Sequence, residues 1–566
     1  MVKIVKIREL RNRHRLLFSA ALVTFLLAVT WALIPITFET CDDEFLMNYL
    51  SGAKTGEPEA DTTQIFFLWG KIVSSFYRIT GALPWYTLIF LALIALSLVA
   101  VCYCVVVSFP EWGGSLFCLL YFSMFLFYSV ILQYTMVSAF CGIAAVSLLL
   151  IGQKEEKRKN IIIKNILIFS FMFCSVNIRI SVGYLVLGHT VFAICLEVLR
   201  YLFKTADRQK IKNMIVSFIA MFAAAAISIA VNNIHESLSE REEFWEYSAE
   251  RVSFTDYSKL DYESNQDLFD KIGWSEEFYE LVKNWFFMDE TVNTETLRQI
   301  NERNVHGSIR VGRTLLHEWF PITDFQVKAW VLLLIFLFAN AVRRREGRRR
   351  SMVSFLWLFV WFAETQYFGY RGRIVERVLE AWTLLAVMPS ILGAAVNSPI
   401  TEERKESRTE NLIISGVALS LCIMCACNPF GGYVRAKAFS LERSEVKMRW
   451  ADIEDYAIAH QENIYIHGSP SAGGGSPFRV YTEGLPYNLI FWGGIFYNLP
   501  IYDAQIKMNG FEQIYMEDFF EENVYFIARE KPDEHLSNVM KEKFPECTCE
   551  ITDVEDRFIV YKYLNR

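Results

Sequence analysis

LLFSAALVTFLLAVTWALIPIT, residues 16–37, followed by FETCDDE, residues 38–44, is the segment from which the rest of the chain is best read. A helix rises about 1.5 Å per residue, so an apolar run of roughly twenty residues crosses the hydrocarbon of a bilayer. Lys3, Lys6, Arg8, Arg11, Arg13 and Arg15 precede it and hold that end on the cytoplasmic side. Asp42 and Asp43 therefore emerge at the outer edge of the membrane. No small-x-small cleavage pattern precedes Phe38, and the apolar run is longer than that of a signal peptide, so the segment reads as an uncleaved anchor.

The 566 residues are 53% hydrophobic and 15% aromatic, with a positive mean hydropathy. That is too apolar for an ordinary soluble enzyme, and 21% charged residues are too many for a wholly intramembrane chain. The formal net charge of −7 sums over two faces of a membrane and says little about partners. Its distribution says more. Basic clusters at 154–159, 204–212, 343–350 and 404–408 alternate with an acidic stretch at 235–325, which orients the spans. Apolar runs predict about eleven spans: 16–37, then near 85–108, 115–132, 134–152, 161–178, 181–202, 213–232, 326–342, 352–369, 378–396 and 411–428. An odd count leaves the N-terminus cytoplasmic and the C-terminus extracytoplasmic.

The expected fold class is thus a polytopic α-helical membrane protein of the cell membrane. Residues 1–428 form the transmembrane domain, with outer loops at 38–84 and 233–325, and residues 429–566 an extracytoplasmic α/β domain. In the first loop, Thr55-Gly56-Glu57-Pro58 reads as a turn, and the aromatic-rich stretch 65–77 as an interfacial helix. The second loop reads as several short helices, one capped by Ser275. Beyond 429, an opening helix over 433–460 precedes short strands at 464–467, 489–492, 524–528 and 558–563, with helices at 503–508 and 533–543. The Gly- and Ser-rich stretch 469–476 lacks the Lys-Ser/Thr pair of a phosphate-binding loop.

Polar residues at the outer ends of the spans are candidates for chemistry. Asp42 and Asp43 are adjacent carboxylates at the hydrocarbon edge, where mutual repulsion and desolvation both penalise ionisation. Their bland reading is a solvated acidic loop. Gln133, Tyr134 and Thr135 stand at an outward turn between two apolar runs and would share that face; otherwise they are a simple polar turn. Arg179, and Arg371, Arg373 and Arg377, are arginines on the outer side, against the positive-inside trend. A guanidinium binds phosphate oxygens with two directed hydrogen bonds, and the competing reading is snorkelling to headgroups.

Other sites are missing. The chain holds no Walker A lysine motif, no Gly-x-Ser-x-Gly elbow and no His-Glu-x-x-His helix, and its acidic outer surfaces exclude nucleic acid as a partner. Most of the twelve cysteines lie in apolar spans and serve packing. Cys422, Cys425 and Cys427 end a hydrophobic helix with no histidine or acid nearby, which argues against a metal. Cys547 and Cys549, at i and i+2 of a strand, make a poor disulfide.

Taken together, Asp42-Asp43-Glu44 after the first span, the Gln133-Tyr134-Thr135 turn and the arginine-bearing turns resemble the GT-C superfamily of membrane glycosyltransferases. More narrowly, the chain is similar to a group of bacterial polytopic proteins in Asp42-Asp43 followed by Ser51-Gly52 and Thr55-Gly56-Glu57-Pro58. Leu132-Gln133-Tyr134-Thr135, Arg371-Gly372-Arg373-Ile374-Val375-Glu376-Arg377-Val378 and Asn488-Leu489-Ile490-Phe491-Trp492-Gly493-Gly494 carry the rest of that likeness. The resemblance implies a hexosyl- or pentosyltransferase that uses a polyprenyl-phosphate sugar as donor. Its acceptor would be an extracytoplasmic envelope glycan, teichoic acid, lipid or protein. It implies a catalytic carboxylate in the first outer loop, Asp43 first and Asp42 second, with Arg371, Arg373, Arg377, Arg179, Gln133, Thr135 and Glu44 binding substrates. Some members of the superfamily use a divalent cation and others none, so no obligatory cofactor follows. Two other classes remain: a transporter or flippase for a lipid-linked glycan, which calls for charged residues within the spans, and a non-catalytic envelope assembly protein. The span interiors read as mostly clean, which favours the enzyme.

Overall fold

The computed structural model describes residues 14–108, 125–151, 158–239, 241–256, 259–304, 345–370, 375–394, 432–468 and 474–565, with positions 118, 122, 329, 330, 333, 334 and 337. The expected span near 411–428, with its three cysteines, lies outside the described residues, as do most of that near 326–342 and the first part of that near 115–132. Among the described residues, six helices are long and apolar enough to cross a membrane. They include α1 (Arg15–Leu33), and the chain is a multi-pass helical protein. After α1 comes a two-residue strand, β1 (Thr37–Phe38), and then helix α2 (Cys41–Ser51). Asp42, Asp43 and Glu44 thus form the first turn of a helix and not a loop, where the positive end of the helix dipole favours carboxylates. The amphipathic α3 (Phe67–Ile79) precedes the span α4 (Trp85–Ser108).

Strand β2 (Ile131–Leu132) runs straight into α5 (Tyr134–Leu150), all of whose residues are buried. Helix α5 packs on α4, on α6 (Arg158–Ile178), on α7 (Ile180–Leu202) and on a later helix, α15 (Glu376–Ala394), which makes it the axis of the bundle. Small residues permit the close approach. A Cβ on Gly142 would lie 2.3 Å from Val186 Cγ2, and the Ser138 hydroxyl donates to the Ser175 carbonyl at 2.7 Å. In lipid, whose tails are as apolar as the side chains, such packing and interhelical hydrogen bonding replace the hydrophobic drive.

The span α8 (Arg208–Leu238) leads to the short helices α9 (Glu242–Asp256), α10 (Gln266–Ile272), α11 (Glu276–Lys283) and α12 (Thr294–Arg303). The Ser275 hydroxyl caps α11 by accepting the Phe278 N–H at 3.1 Å, as expected. The single span expected at 352–369 is instead two helices, α13 (Arg345–Ser354) and α14 (Trp357–Tyr370). The Ser354 carbonyl there accepts the Ser390 hydroxyl at 3.1 Å, from α15 (Glu376–Ala394), and the helical ladder shifts from bonds four residues back to bonds three residues back.

Nor are the interiors as clean as the hydropathy suggests. His189 Nε2 lies 3.4 Å from Glu364. Glu197 is buried with Arg200, Lys210 and Arg350 around it at 3.0, 3.1 and 3.6 Å. His189, Glu197 and Glu364 each lie within a helix that averages as apolar, which is why hydropathy passed over them.

Helix α16 (Gly432–Ala459) precedes β3 (Ile464–His467), β4 (Leu489–Phe491), α17 (Pro500–Met508), β5 (Val524–Ala528), α18 (Glu534–Lys543), β6 (Cys547–Val554) and β7 (Ile559–Asn565). The sheet order is β4-β3-β5-β7-β6. β3 pairs in parallel with β4 and β5, while β7 is antiparallel to β5 and β6. This sheet is fastened to α2 and the turn behind it. Phe45 meets Phe491 edge-on at 4.6 Å; Tyr49 donates to Gln505 at 3.0 Å; the buried Lys54 ammonium donates to the Pro486 and Leu489 carbonyls at 3.1 and 2.9 Å. The Trp492-Gly493-Gly494 run meets the second outer region: a Cβ on Gly493 would stand 1.8 Å from the Trp285 carbonyl oxygen, and the Phe287 N–H donates to the Trp492 carbonyl at 2.8 Å.

Glu44 is part of this fastening. Its Oε2 accepts the Gly474 and Gly475 N–H groups at 2.9 and 2.7 Å, while burial and then the nearby Glu454 carboxylate push its carboxyl from 4.5 up to about 7. The folded chain therefore keeps a proton that the unfolded chain releases above 4.5, and this contribution to stability declines as pH rises from about 4.5 to about 7. Glu44→Gln is expected to flatten that decline, as measured by thermal unfolding of the purified protein at pH 5 and pH 7.5; an unchanged slope contradicts it. Gly493→Ala is expected to lower stability by about 1–3 kcal/mol, read from the same unfolding curves.

Candidate functional site at the first turn of helix α2

The site begins with two residues of parallel strand. β1 and β2 pair Thr37 with Ile131 and Phe38 with Leu132, and the Glu39 N–H continues the ladder to the Leu132 carbonyl at 2.9 Å. Pairing satisfies backbone groups where two helical segments break at a membrane edge. It also sets the start of α2 against the start of α5.

Asp43 faces that junction and is fully buried. Its Oδ1 accepts the Tyr86 hydroxyl at 2.8 Å and the Tyr134 N–H at 3.0 Å. Oδ2 has no hydrogen-bond partner. Burial raises the carboxyl well above the usual carboxylate range; the Tyr86 hydrogen bond opposes the rise, and the neighbouring Asp42 charge adds to it. A carboxylate so displaced toward neutrality has the proton affinity of a general base.

Arg179 and Arg377 converge on the same turn. The Arg179 guanidinium stacks over the Tyr134 ring at 5.4 Å and donates to Gln64 Oε1, which also accepts the Tyr134 hydroxyl at 3.2 Å. The charges of Asp42, Asp43, Arg179 and Arg377 all act on that hydroxyl, and Glu39, Asp42 and Asp43 act on the Arg377 guanidinium. Asp42 itself is half-buried and also acts on Arg251 of α9. Asp42, Asp43, Tyr134, Arg179 and Arg377, from four separate parts of the chain, thus form one charged cluster. Arg371 and Arg373 lie outside the described residues.

Gln133 and Thr135 flank Tyr134 and are buried. Gln133 caps α5, its Oε1 accepting the Met136 N–H at 3.1 Å. Glu44 is on the same turn as Asp43 but its carboxylate is turned to Gly474 and Gly475. Two residues on, Pro477 accepts the Thr87 hydroxyl. Segment 474–477 therefore holds the neighbour of each hydrogen-bonded partner, Glu44 beside Asp43 and Thr87 beside Tyr86.

Three members of the cluster escaped the sequence reading. Tyr86 is the second residue of an apolar span and looks like an interfacial aromatic there. Gln64 belongs to a short polar run in the first loop, where its neighbours are equally eligible. Glu39 lies three residues before Asp42, and its acidity was the available signal. Among the described residues, no group of three or more His, Cys, Asp or Glu side chains is placed to hold a metal ion.

No protein-family model matches the chain, and no curated relative does. In three dimensions the chain is similar to crystal structures of ArnT from Cupriavidus metallidurans. For the form bound to undecaprenyl phosphate the TM-score is 0.42 at 10% identity, over 96% of this chain and 97% of that one. For the apo form it is 0.43 at 11% identity, over the same shares. A likeness of this degree leaves the site to be judged on its own geometry.

Proposed function

We propose that the chain is a membrane glycosyltransferase that moves a hexosyl or pentosyl group from a polyprenyl-phosphate carrier to a hydroxyl of an extracytoplasmic envelope glycan, teichoic acid, lipid or protein. The observation that carries this reading is the buried Asp43 carboxylate, held by one oxygen and open at the other, within one cluster with Arg179 and Arg377. In this reading Asp43 takes the proton of the acceptor hydroxyl as its oxygen attacks the anomeric carbon. The guanidinium groups of Arg179 and Arg377 meet the charge that grows on the departing phosphate. Asp42, less buried, adds to the field that raises Asp43 and is the second candidate for base. The C-terminal sheet, through segment 474–477, roofs the same turn and faces the acceptor.

One observation favours transport instead: the His189–Glu364 pair lies between α7 and α14, and ionisable residues inside spans commonly mark a pathway. The two readings part at Asp43, since a transporter has no need of a base there.

Asp43→Asn is expected to lower sugar transfer from polyprenyl-phosphate donors at least about 100-fold at normal protein level, measured with labelled donor in membranes; full transfer by this variant removes the catalytic assignment. Arg179→Ala and Arg377→Ala are each expected to cost about 100-fold in turnover. For pH dependence, a base must be ionised, so activity should rise with pH through an apparent pKa above the ordinary carboxylate range. Tyr86→Phe removes a hydrogen bond that favours the ionised form, and is expected to move this acid limb to higher pH; a limb that stays in place contradicts Tyr86 as a partner of the base.

A further inference from the structure

Gln133 is fully buried at the N-terminus of α5, and its amide is oriented by its own capping bond. Oε1 must be the atom facing the Met136 N–H, 3.1 Å away, because a second N–H could not accept there. Nε2 is thereby turned elsewhere, and it has no hydrogen-bond partner. The next residue, Tyr134, gives its N–H to Asp43 Oδ1 at 3.0 Å, so the unmet amide donor belongs to the chain neighbour of a residue bonded to Asp43, whose Oδ2 is an unmet acceptor. Thr37, across the two-residue ladder from Ile131, and Thr62 and Thr63, beside Gln64, also hold buried hydroxyls without partners. Leaving a buried polar atom unpaired is costly, and an unmet donor and an unmet acceptor on the two residues linked through the Tyr134 N–H mark a place that a polar ligand fills.

We infer that Gln133 is the positioning residue for the acceptor nucleophile, and that it restricts acceptors to hydroxyl groups. The inference rests on the glycosyltransferase reading above and deepens it. A hydroxyl donates its hydrogen to Asp43 Oδ2 and accepts the Gln133 Nε2 hydrogen with one oxygen lone pair. Its second lone pair stays free for the anomeric carbon. In the step itself the O–H bond breaks toward Oδ2 and the acceptor oxygen bonds the anomeric carbon. The anomeric C–O bond to the carrier breaks with its electron pair leaving on the polyprenyl phosphate. A neutral amine has a single lone pair, and the Gln133 N–H would occupy the pair needed for attack.

The test uses the full chain in lipid nanodiscs with labelled polyprenyl-phosphate hexoses and pentoses as donors, and methanol and methoxyamine as competing acceptors. Gln133→Ser keeps a helix-capping oxygen but removes the amide. It is expected to lower turnover about 100-fold with the donor KM within about twofold and an unchanged Tm, while the wild type glycosylates methanol and leaves methoxyamine alone. Turnover within about threefold of wild type, or equal capture of methoxyamine, overturns the inference. Should the serine variant lose Tm, Gln133→Glu retains an oxygen for the Met136 N–H without the donor, and retained turnover there overturns it too. A wild type silent with every donor sinks the glycosyltransferase reading and this inference with it, whereas loss of the Gln133 effect alone leaves the reading of Asp43 standing.

Discussion

The Asp43 carboxylate oxygen shared by the Tyr86 hydroxyl and the Tyr134 N–H is the contact around which the structure is arranged. It ties the first turn of α2 to the tops of α4 and α5, and α5 is the buried axis of the bundle. A carboxylate in this position is costly in isolation. Two hydrogen bonds to one oxygen, with the Arg377 guanidinium within electrostatic range, offset part of that cost, while the second oxygen stays unpaired. In the proposed reaction, stability and chemistry thus draw on the same atoms.

Much of this was legible in the sequence, for physical reasons that can be named. A helix that crosses lipid must be long and apolar, so the spans at 85–108 and 181–202 could be placed to within a residue or two. The acidic pair was identified by where it stands relative to the first span, and Gln133, Arg179 and Arg377 by defying the expected distribution of polar groups. What stayed hidden depends on contacts between remote segments. Glu44 looks like a third member of the acidic motif, yet its partners are 430 and 431 residues away. Tyr86 meets Asp43 only because α4 begins beside that carboxylate. The two-residue strands β1 and β2 are too short to carry a periodicity at all, although they set the register of the whole site.

The interior charges show the limit of hydropathy from another direction. Averaging over a window dilutes Glu197 among leucines and valines, whereas the fold pairs it with three cations drawn from α7, α8 and α13. Such clusters knit the end of the bundle remote from Asp43 along the chain of α7. They also show why a clean average does not describe the inside of a helix bundle.

Glu44 and its glycine partners impose an order on the making of the protein. The spans that surround Asp43 are synthesised and inserted early, but the carboxylate beside it has no partner until Gly474 and Gly475 have left the ribosome. At about 5–20 residues per second, the 431 residues between Glu44 and Gly475 take roughly 20 to 90 seconds. During that interval the first turn of α2 is a nascent helix end with an exposed acid, open to water. Gly474 and Gly475 close over it only after they have emerged, so a chain arrested between Arg377 and Gly474 would carry the charged cluster in an unsealed form.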